Sequence, residues 1–212
     1  MDPPPPPEDR EPEARRPARR GRGSSAVQTL LAFGALIAMV VVFSIASPNF
    51  LQFDNIVGIL LATAVNGVLA LGVTFVIIAG GIDLSIGTVM SLSAVMAGVV
   101  ITSWQLPIPL GIAAGLATGA AAGMVNGFVI ARLRLPPFIA TLGMLKVANG
   151  LALIISGLRP LYFTDTPSFN EIAMGSIVAR LIPSLEIPNL VLFLLGAALV
   201  AGYALNRTIL GR

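Results

Sequence analysis

Long stretches without a charged side chain constrain the fold of this chain more than any other feature. Residues 26–53, 55–82, 84–131 and 187–206 contain no Asp, Glu, Lys or Arg. A helix rises about 1.5 Å per residue, so roughly 20 residues cross the ~30 Å hydrocarbon core of a bilayer. These stretches therefore predict an all-α, polytopic transmembrane helix bundle.

The number of spans follows from the length of each stretch and from its internal breaks. The longest stretch, 84–131, is long enough for two crossings and is interrupted at 104–109 by the sequence WQLPIP. Lys146 lies inside the fifth predicted span. Six spans are expected, near 27–46, 56–79, 85–103, 108–131, 138–156 and 189–205.

The amino-terminal segment differs sharply from the rest. Residues 1–25 are rich in proline and arginine and contain no aromatic residue, so they cannot bury enough apolar surface to offset the entropy of ordering. We expect a disordered cytoplasmic tail over 1–25 and a transmembrane domain over 26–212. A nucleic-acid-binding arm is less favoured, since the tail combines six arginines with five acids. No nucleic-acid partner is therefore expected.

Arginine distribution predicts the orientation, because positively charged segments resist translocation. With a cytoplasmic amino terminus, ten arginines collect on the cytoplasmic side and two, Arg159 and Arg180, on the other. The alternative of a cleaved signal peptide is disfavoured, since the apolar stretch of the first span exceeds the usual ~7–15 residues.

The composition excludes most catalytic sites. The chain has no Cys and no His, so it lacks thiolate nucleophiles, imidazole bases, and cysteine and histidine metal ligands. Its one lysine, Lys146, is not part of a phosphate-binding P-loop. We expect a protein that is not an enzyme and that binds no cofactor or metal. Any work powered by ATP would have to come from a partner.

The sequence Gly-Gly-Ile-Asp-Leu-Ser at 80–85 joins two apolar stretches without an ordinary polar loop. Glycines weaken a helix, and Asp83 or Ser85 can accept hydrogen bonds from the free N–H groups that start the next one. Two interpretations remain open here. One is a tight turn, and the other is a discontinuous helix at the membrane edge whose carboxyl marks a solute pathway.

Glycines repeat at intervals of four along the fourth span. They lie on one slowly drifting helix face and predict close packing against another helix, although such a face can also line a path. The residues are Gly111, Gly115, Gly119, Gly123 and Gly127.

Three asparagines and one lysine are polar residues within predicted spans. Asn66, Asn126 and Asn149 each precede a glycine, and Lys146 lies three residues before Asn149, on the same helix face. Interhelical hydrogen bonding explains an asparagine in lipid, and a polar path for a hydroxylated solute requires the same chemistry. Lys146 is close enough to the cytoplasmic end to extend its ammonium group to the surface.

Several segments together resemble the membrane subunit of the ribose/xylose-type ABC importers, which are bacterial permeases for simple sugars. The resemblance runs from about residue 27 to the end and rests on the segments SPNF at 47–50, DNI at 54–56, GGIDLSIG at 80–87, PPFIATLGM at 136–144 and GLALIISGLRP at 150–160.

The resemblance implies a dimeric permease in the bacterial inner membrane. It would receive a monosaccharide from a periplasmic binding protein and be driven by a cytoplasmic ATPase. Two signatures are carried over as pathway or gate residues: Gly81, Asp83, Leu84, Ser85 and Gly87, and Pro137, Phe138, Ile139, Thr141 and Leu142. With Gly80, Asn66, Asn126, Lys146 and Asn149, they form the predicted pathway set.

Two departures from the family pattern affect these expectations. Many similar permeases carry an arginine where this chain has Asn149, and Lys146 either replaces that charge or is unrelated to it. Similar permeases also continue through a coupling segment and further spans, so the chain is expected to be a fragment, a split gene product or a form that has lost transport. A self-contained channel or carrier and a non-transporting scaffold are the alternatives.

Overall fold

The structure is a computed structural model, and it describes residues 1, 22–181 and 186–207. Most of the predicted tail, 1–25, lies outside the described residues. The first helix nevertheless begins at Arg22, so its backbone includes the last four residues assigned to that tail.

All regular structure in the described ranges is helical. The α-helices are α1 (Arg22–Ala46), α2 (Phe53–Ile78), α3 (Ile86–Gly98), α4 (Ile108–Leu133), α5 (Pro137–Ile155), α6 (Pro167–Met174), α7 (Ile177–Leu181) and α8 (Asn189–Arg207). A π-helical turn, Val99–Ser103, extends α3.

Within the described part of the chain, six helical segments are long and apolar enough to cross a membrane. They begin and end within a few residues of the predicted spans, and the third combines α3 with the π-helical turn as Ile86–Ser103. Large apolar side chains such as Leu116, Leu199 and Ile154 are more than 70% exposed. In lipid this exposure carries no hydrophobic penalty, so the finding agrees with an all-α polytopic membrane protein.

The chain divides into two compact units, and the first extends to Gln52. Within it, the apolar residues of α1 from Val27 to Ala46 form a span without buried side chains. The helix ends at Ala46. Pro48 disfavours helical backbone at the residue before it, Ser47, which explains this end. Phe43 stacks on Phe50 beyond the helix end, with ring centroids 5.6 Å apart.

The second unit begins at Phe53, and its core lies where α3 packs against α4 and α5. Leu92 of α3 contacts two buried alanines of α5, Ala148 and Ala152. Small residues allow the helix backbones to approach closely, which matters in lipid because packing rather than water exclusion drives helix association.

Prolines lie in the first turns of α4 and α5, and a residue with a left-handed backbone conformation ends α4. Pro109 occupies the first turn of α4, and the helix stops at Arg134, whose φ is +55°. Pro137 begins α5, where its missing N–H is not needed. The predicted break before the fifth span is therefore present.

The segment between α5 and α8 contains two short helices, α6 and α7, that hydropathy did not predict. Asn189, the first residue of α8, is buried and connects this segment to the helix. Its Oδ1 accepts a hydrogen bond from the Ile177 N–H at 2.8 Å, and its Nδ2 donates to the Glu171 carbonyl at 3.3 Å.

Candidate functional site at the helix break

The backbone between α2 and α3 is non-helical over residues 81–85, with a turn at 79–80. Gly80 has a φ of +76°, a left-handed conformation that favours glycine. The Gly81 N–H donates to the Val76 carbonyl at 2.9 Å. A Cβ at Gly81 would stand 3.1 Å from Val76 Cγ1, so little room exists there for a side chain.

A chain of hydrogen bonds connects the break to α4. Asp83 Oδ1 accepts from the Ser85 backbone N–H at 2.7 Å and from the Ser85 hydroxyl at 2.6 Å. Asn126 Nδ2 in turn donates to Ser85 Oγ at 3.1 Å. Ser85 is 0% exposed and Asn126 is buried, so these polar groups depend on one another for partners.

A second connection joins the break to α5. Thr141 is buried, and its hydroxyl shares its one proton between the Pro137 carbonyl of its own helix at 2.9 Å and the Ile82 carbonyl at 3.2 Å. This bond gives a carbonyl in the non-helical segment a partner that the helix ladder does not supply. The break is thus held from two sides, by Asn126 and by Thr141.

These residues surround a cavity of about 310 Å³ between the break and the facing ends of α4 and α5. Its polar lining comes from Asp83, Asn126 and Thr141, and the remaining lining is apolar or glycine. Hydroxyl, carboxamide and carboxyl groups can exchange hydrogen-bond partners with a polar solute. Within the part of the chain that the structure describes, no cluster of three or more Asp, Glu, Cys or His residues could hold a metal ion.

Many of the predicted pathway residues meet at this break. Gly81, Asp83, Asn126, Pro137 and Thr141 line the cavity, and Ser85 is buried beside it. The structure leaves others exposed: Asn66, Gly80, Leu84, Gly87, Phe138, Ile139, Leu142, Lys146 and Asn149.

The glycines of α4 divide into two groups. A Cβ at Gly111 would meet the Ile101 side chain, and one at Gly115 would stand 3.0 Å from the Ser93 carbonyl oxygen of α3. The Gly119 Cβ would lie 3.3 Å from Ser93 Oγ, whereas nothing lies within 4 Å of that position in Gly123 or Gly127. The last two glycines line the cavity instead.

Sequence reasoning missed the apolar part of the lining. Val76, Ala79, Ile82 and Ile130 border the cavity and resemble any other lipid-facing residue in sequence. Their closeness to the GGIDLS segment along the chain was the available signal for Val76, Ala79 and Ile82, and Ile130 lies one turn after Asn126.

Comparison with known proteins identifies the family. A family profile described as "Branched-chain amino acid transport system / permease component" matches residues 55–212, which include every element of the helix break and its cavity. The chain belongs to this permease family. It is a multi-pass membrane protein of a transport family, and the family assigns it no enzymatic role.

Curated relatives of the permease are named for sugar transport. It is 35% identical to the ribose import permease protein RbsC of Haemophilus influenzae, over 85% of this chain and 54% of that protein. The RbsC of Bacillus subtilis is 43% identical over 64% of this chain and 42% of its own length. The L-arabinose permease AraH of Escherichia coli K12 is 36% identical over 85% of this chain and 53% of that protein.

The chain spans about half the length of these relatives. No solved structure matches it.

Proposed function

We propose that the permease forms part of the membrane pathway of a bacterial ABC importer for a simple sugar of the ribose or xylose type. The observation that carries the proposal is the hydrogen-bonded break itself. Asp83, Asn126 and Thr141 place polar groups in the lining of one cavity within an apolar protein, and the buried Ser85 connects two of them. The relatives named as ribose and L-arabinose permeases support the sugar class.

The cavity suits a small neutral solute. Its volume, about 310 Å³, lies at the lower end of the ~300–1,000 Å³ typical of ligand pockets. Sugar hydroxyls both donate and accept hydrogen bonds, so they match the carboxamide, hydroxyl and carboxyl groups that Asn126, Thr141 and Asp83 contribute to an otherwise apolar lining. No Lys or Arg lines the cavity, which favours a neutral solute over an anionic one.

The break also suggests how the pathway would change state. Segment 81–85 has few helix hydrogen bonds of its own and is held by side chains of α4 and α5. Small movements of those helices would therefore displace the break and open or close the cavity to one side.

The proposed assembly supplies what this chain lacks. A cytoplasmic ATPase would bind ATP and Mg²⁺, a periplasmic sugar-binding protein would deliver the solute, and a second permease copy would complete a dimer in the inner membrane. The amino terminus would face the cytoplasm, as the arginine distribution predicts.

A chromosomal mutation in the source bacterium that replaces Ser85 tests this function. Ser85→Ala removes the hydroxyl that connects Asp83 to Asn126, and we expect the uptake of labelled D-ribose or L-arabinose to fall at least tenfold. Ser91→Ala is the matched control, because the Ser91 hydroxyl is exposed and bonds within its own helix, to the Gly87 carbonyl at 3.0 Å. Equal uptake in both variants would contradict the proposed pathway.

Three further measurements distinguish the alternatives. Deletion of the gene with no change in pentose uptake, or uptake of L-leucine in place of pentoses, would overturn the sugar assignment. Loss of uptake when an ionophore dissipates the proton gradient at constant ATP would identify a secondary carrier instead.

A further inference from the structure

A second polar cavity lies at the opposite end of α3 from the helix break. It occupies about 250 Å³ between the end of the third span and the segment that follows α5. Its polar lining consists of Thr102, Gln105, Tyr162, Asp165 and Thr166. Because α3 begins at the break and runs through the π-helical turn to this cavity, the two polar sites stand at the two ends of one membrane span.

Thr166 lines this cavity, and its hydroxyl oxygen is buried within the protein beside the open space. Its Oγ1 is buried and, among the described residues, is the one buried side-chain oxygen or nitrogen without a hydrogen-bond partner. Such a group costs folding free energy, so its retention requires an explanation. Because this oxygen exposes almost no surface, a ligand hydroxyl in the cavity would become its partner once the Thr166 side chain rotates toward the cavity.

The backbone beside the cavity is also irregular. The π-helical turn Val99–Ser103 precedes it, and the Trp104 N–H donates to the Val99 carbonyl at 3.0 Å. Gln105 follows with a φ of +52°, an uncommon conformation for a residue other than glycine. Single π-turns and strained residues occur often at functional sites. Here they lie directly beside the groups that line the cavity.

The chemistry of the lining indicates the ligand class. One carboxyl, one carboxamide and the hydroxyls of two threonines and a tyrosine surround the space, and no Lys or Arg is among them. This combination suits a solute with several neutral hydroxyls and does not suit an anion. The volume lies just below that of pockets for drug-sized ligands, which fits a smaller solute.

We propose that this cavity is a binding site for a monosaccharide at the end of the span opposite the helix break. The proposal rests on the proposed function and adds a second station to the same pathway. On the predicted orientation this end faces away from the cytoplasm, so the sugar would bind here before it reaches the break.

The single tryptophan of the chain makes a direct test possible. Trp104 is 61% exposed and adjoins Gln105, which lines the cavity, so we expect its fluorescence to change when the cavity is occupied. The intact chain in lipid nanodiscs is titrated with D-ribose, L-arabinose or L-leucine. We expect a saturable change with at least one pentose and none with leucine.

Variants assign the signal to the cavity. Thr166→Val removes the unpaired hydroxyl at nearly constant volume, and we expect the dissociation constant for the pentose to rise about two- to tenfold, as for one lost hydrogen bond. Thr118→Val is the control, since that half-buried hydroxyl bonds the Ala114 carbonyl of its own helix at 2.8 Å. Asp165→Asn, at an exposed position, provides a second test if the first variant does not fold.

Each outcome decides the proposal. A pentose signal weakened by Thr166→Val or Asp165→Asn and unchanged by Thr118→Val supports it. A signal that all variants retain, or no saturable signal at all, overturns the proposed binding site. The uptake measurement with Ser85→Ala tests the proposed function independently of this result. Binding of leucine at the same site overturns the ligand class and also argues against the sugar assignment.

Discussion

Replacement of Ser85 by alanine is the perturbation whose effect the structure defines best. The change removes the bond to Asp83 Oδ1 at 2.6 Å and leaves Asn126 Nδ2 without its acceptor at 3.1 Å. A hydrogen bond contributes about 0.5–1.5 kcal/mol net, and a buried group left unpaired costs about 1–3 kcal/mol. We therefore expect the free energy of unfolding to fall by about 2–4 kcal/mol.

The assay is reversible unfolding in mixed micelles, followed by the fluorescence of Trp104. Ser91→Ala serves as the control and is expected to change the free energy of unfolding by no more than about 0.5 kcal/mol, because Ser91 is exposed. A double-mutant cycle with Asn126→Leu should show that the two losses are not additive, with a coupling of about 0.5–3 kcal/mol. A Ser85→Ala effect as small as that of the control, or strictly additive losses, would refute the reasoning.

Four further substitutions test other contacts in the second unit. Gly111→Ala should lower the free energy of unfolding by about 1–3 kcal/mol, because the new methyl group overlaps the Ile101 side chain. Gly127→Ala has open space around the new methyl group and should raise the free energy of unfolding by up to about 1 kcal/mol. Thermal unfolding of the two variants measures both changes. Thr141→Val removes the hydrogen bond to the Ile82 carbonyl and should lower the free energy of unfolding by about 1 kcal/mol in the same assay. A variant as stable as the original protein would contradict this expectation. Asn189→Ala removes two hydrogen bonds to the segment between α5 and α8, so proteolysis of that segment in detergent should be faster. An unchanged cleavage rate would contradict this expectation.

The candidate site was predictable in part. The GGIDLS segment indicated a break by its glycines and its lone carboxyl, and two interpretations stayed open because sequence does not show whether a turn is held by other helices. The structure has the Asx-type turn, in which Asp83 accepts from the Ser85 N–H, and it also has a non-helical segment bonded to α4 and α5. Ser85, the N-cap of α3, makes no side-chain bond to the first turn of that helix, so the predicted capping bond is wrong. The role of the Asp83 carboxyl in a solute pathway stays a prediction.

The asparagines show where prediction from sequence stops. All three precede a glycine and lie in apolar helices, yet Asn126 is buried against Ser85 while Asn66 and Asn149 are exposed. Equal local sequence cannot distinguish them, since burial depends on which helix faces which. Thr166 gave no sequence signal at all, because its missing partner is a property of its surroundings.

The sequence by itself determined the number of apolar helices and their approximate bounds. A bilayer demands about 20 apolar residues per crossing, and proline, glycine and charge mark the ends, so these features are local and can be counted. Tertiary structure alone decided which glycines of α4 pack against α3 and which line a cavity. Each glycine of the series is rotated by about 40° around the α4 axis relative to the glycine four residues earlier. The series therefore turns gradually away from α3, and the position of α3 decides at which glycine the contact ends.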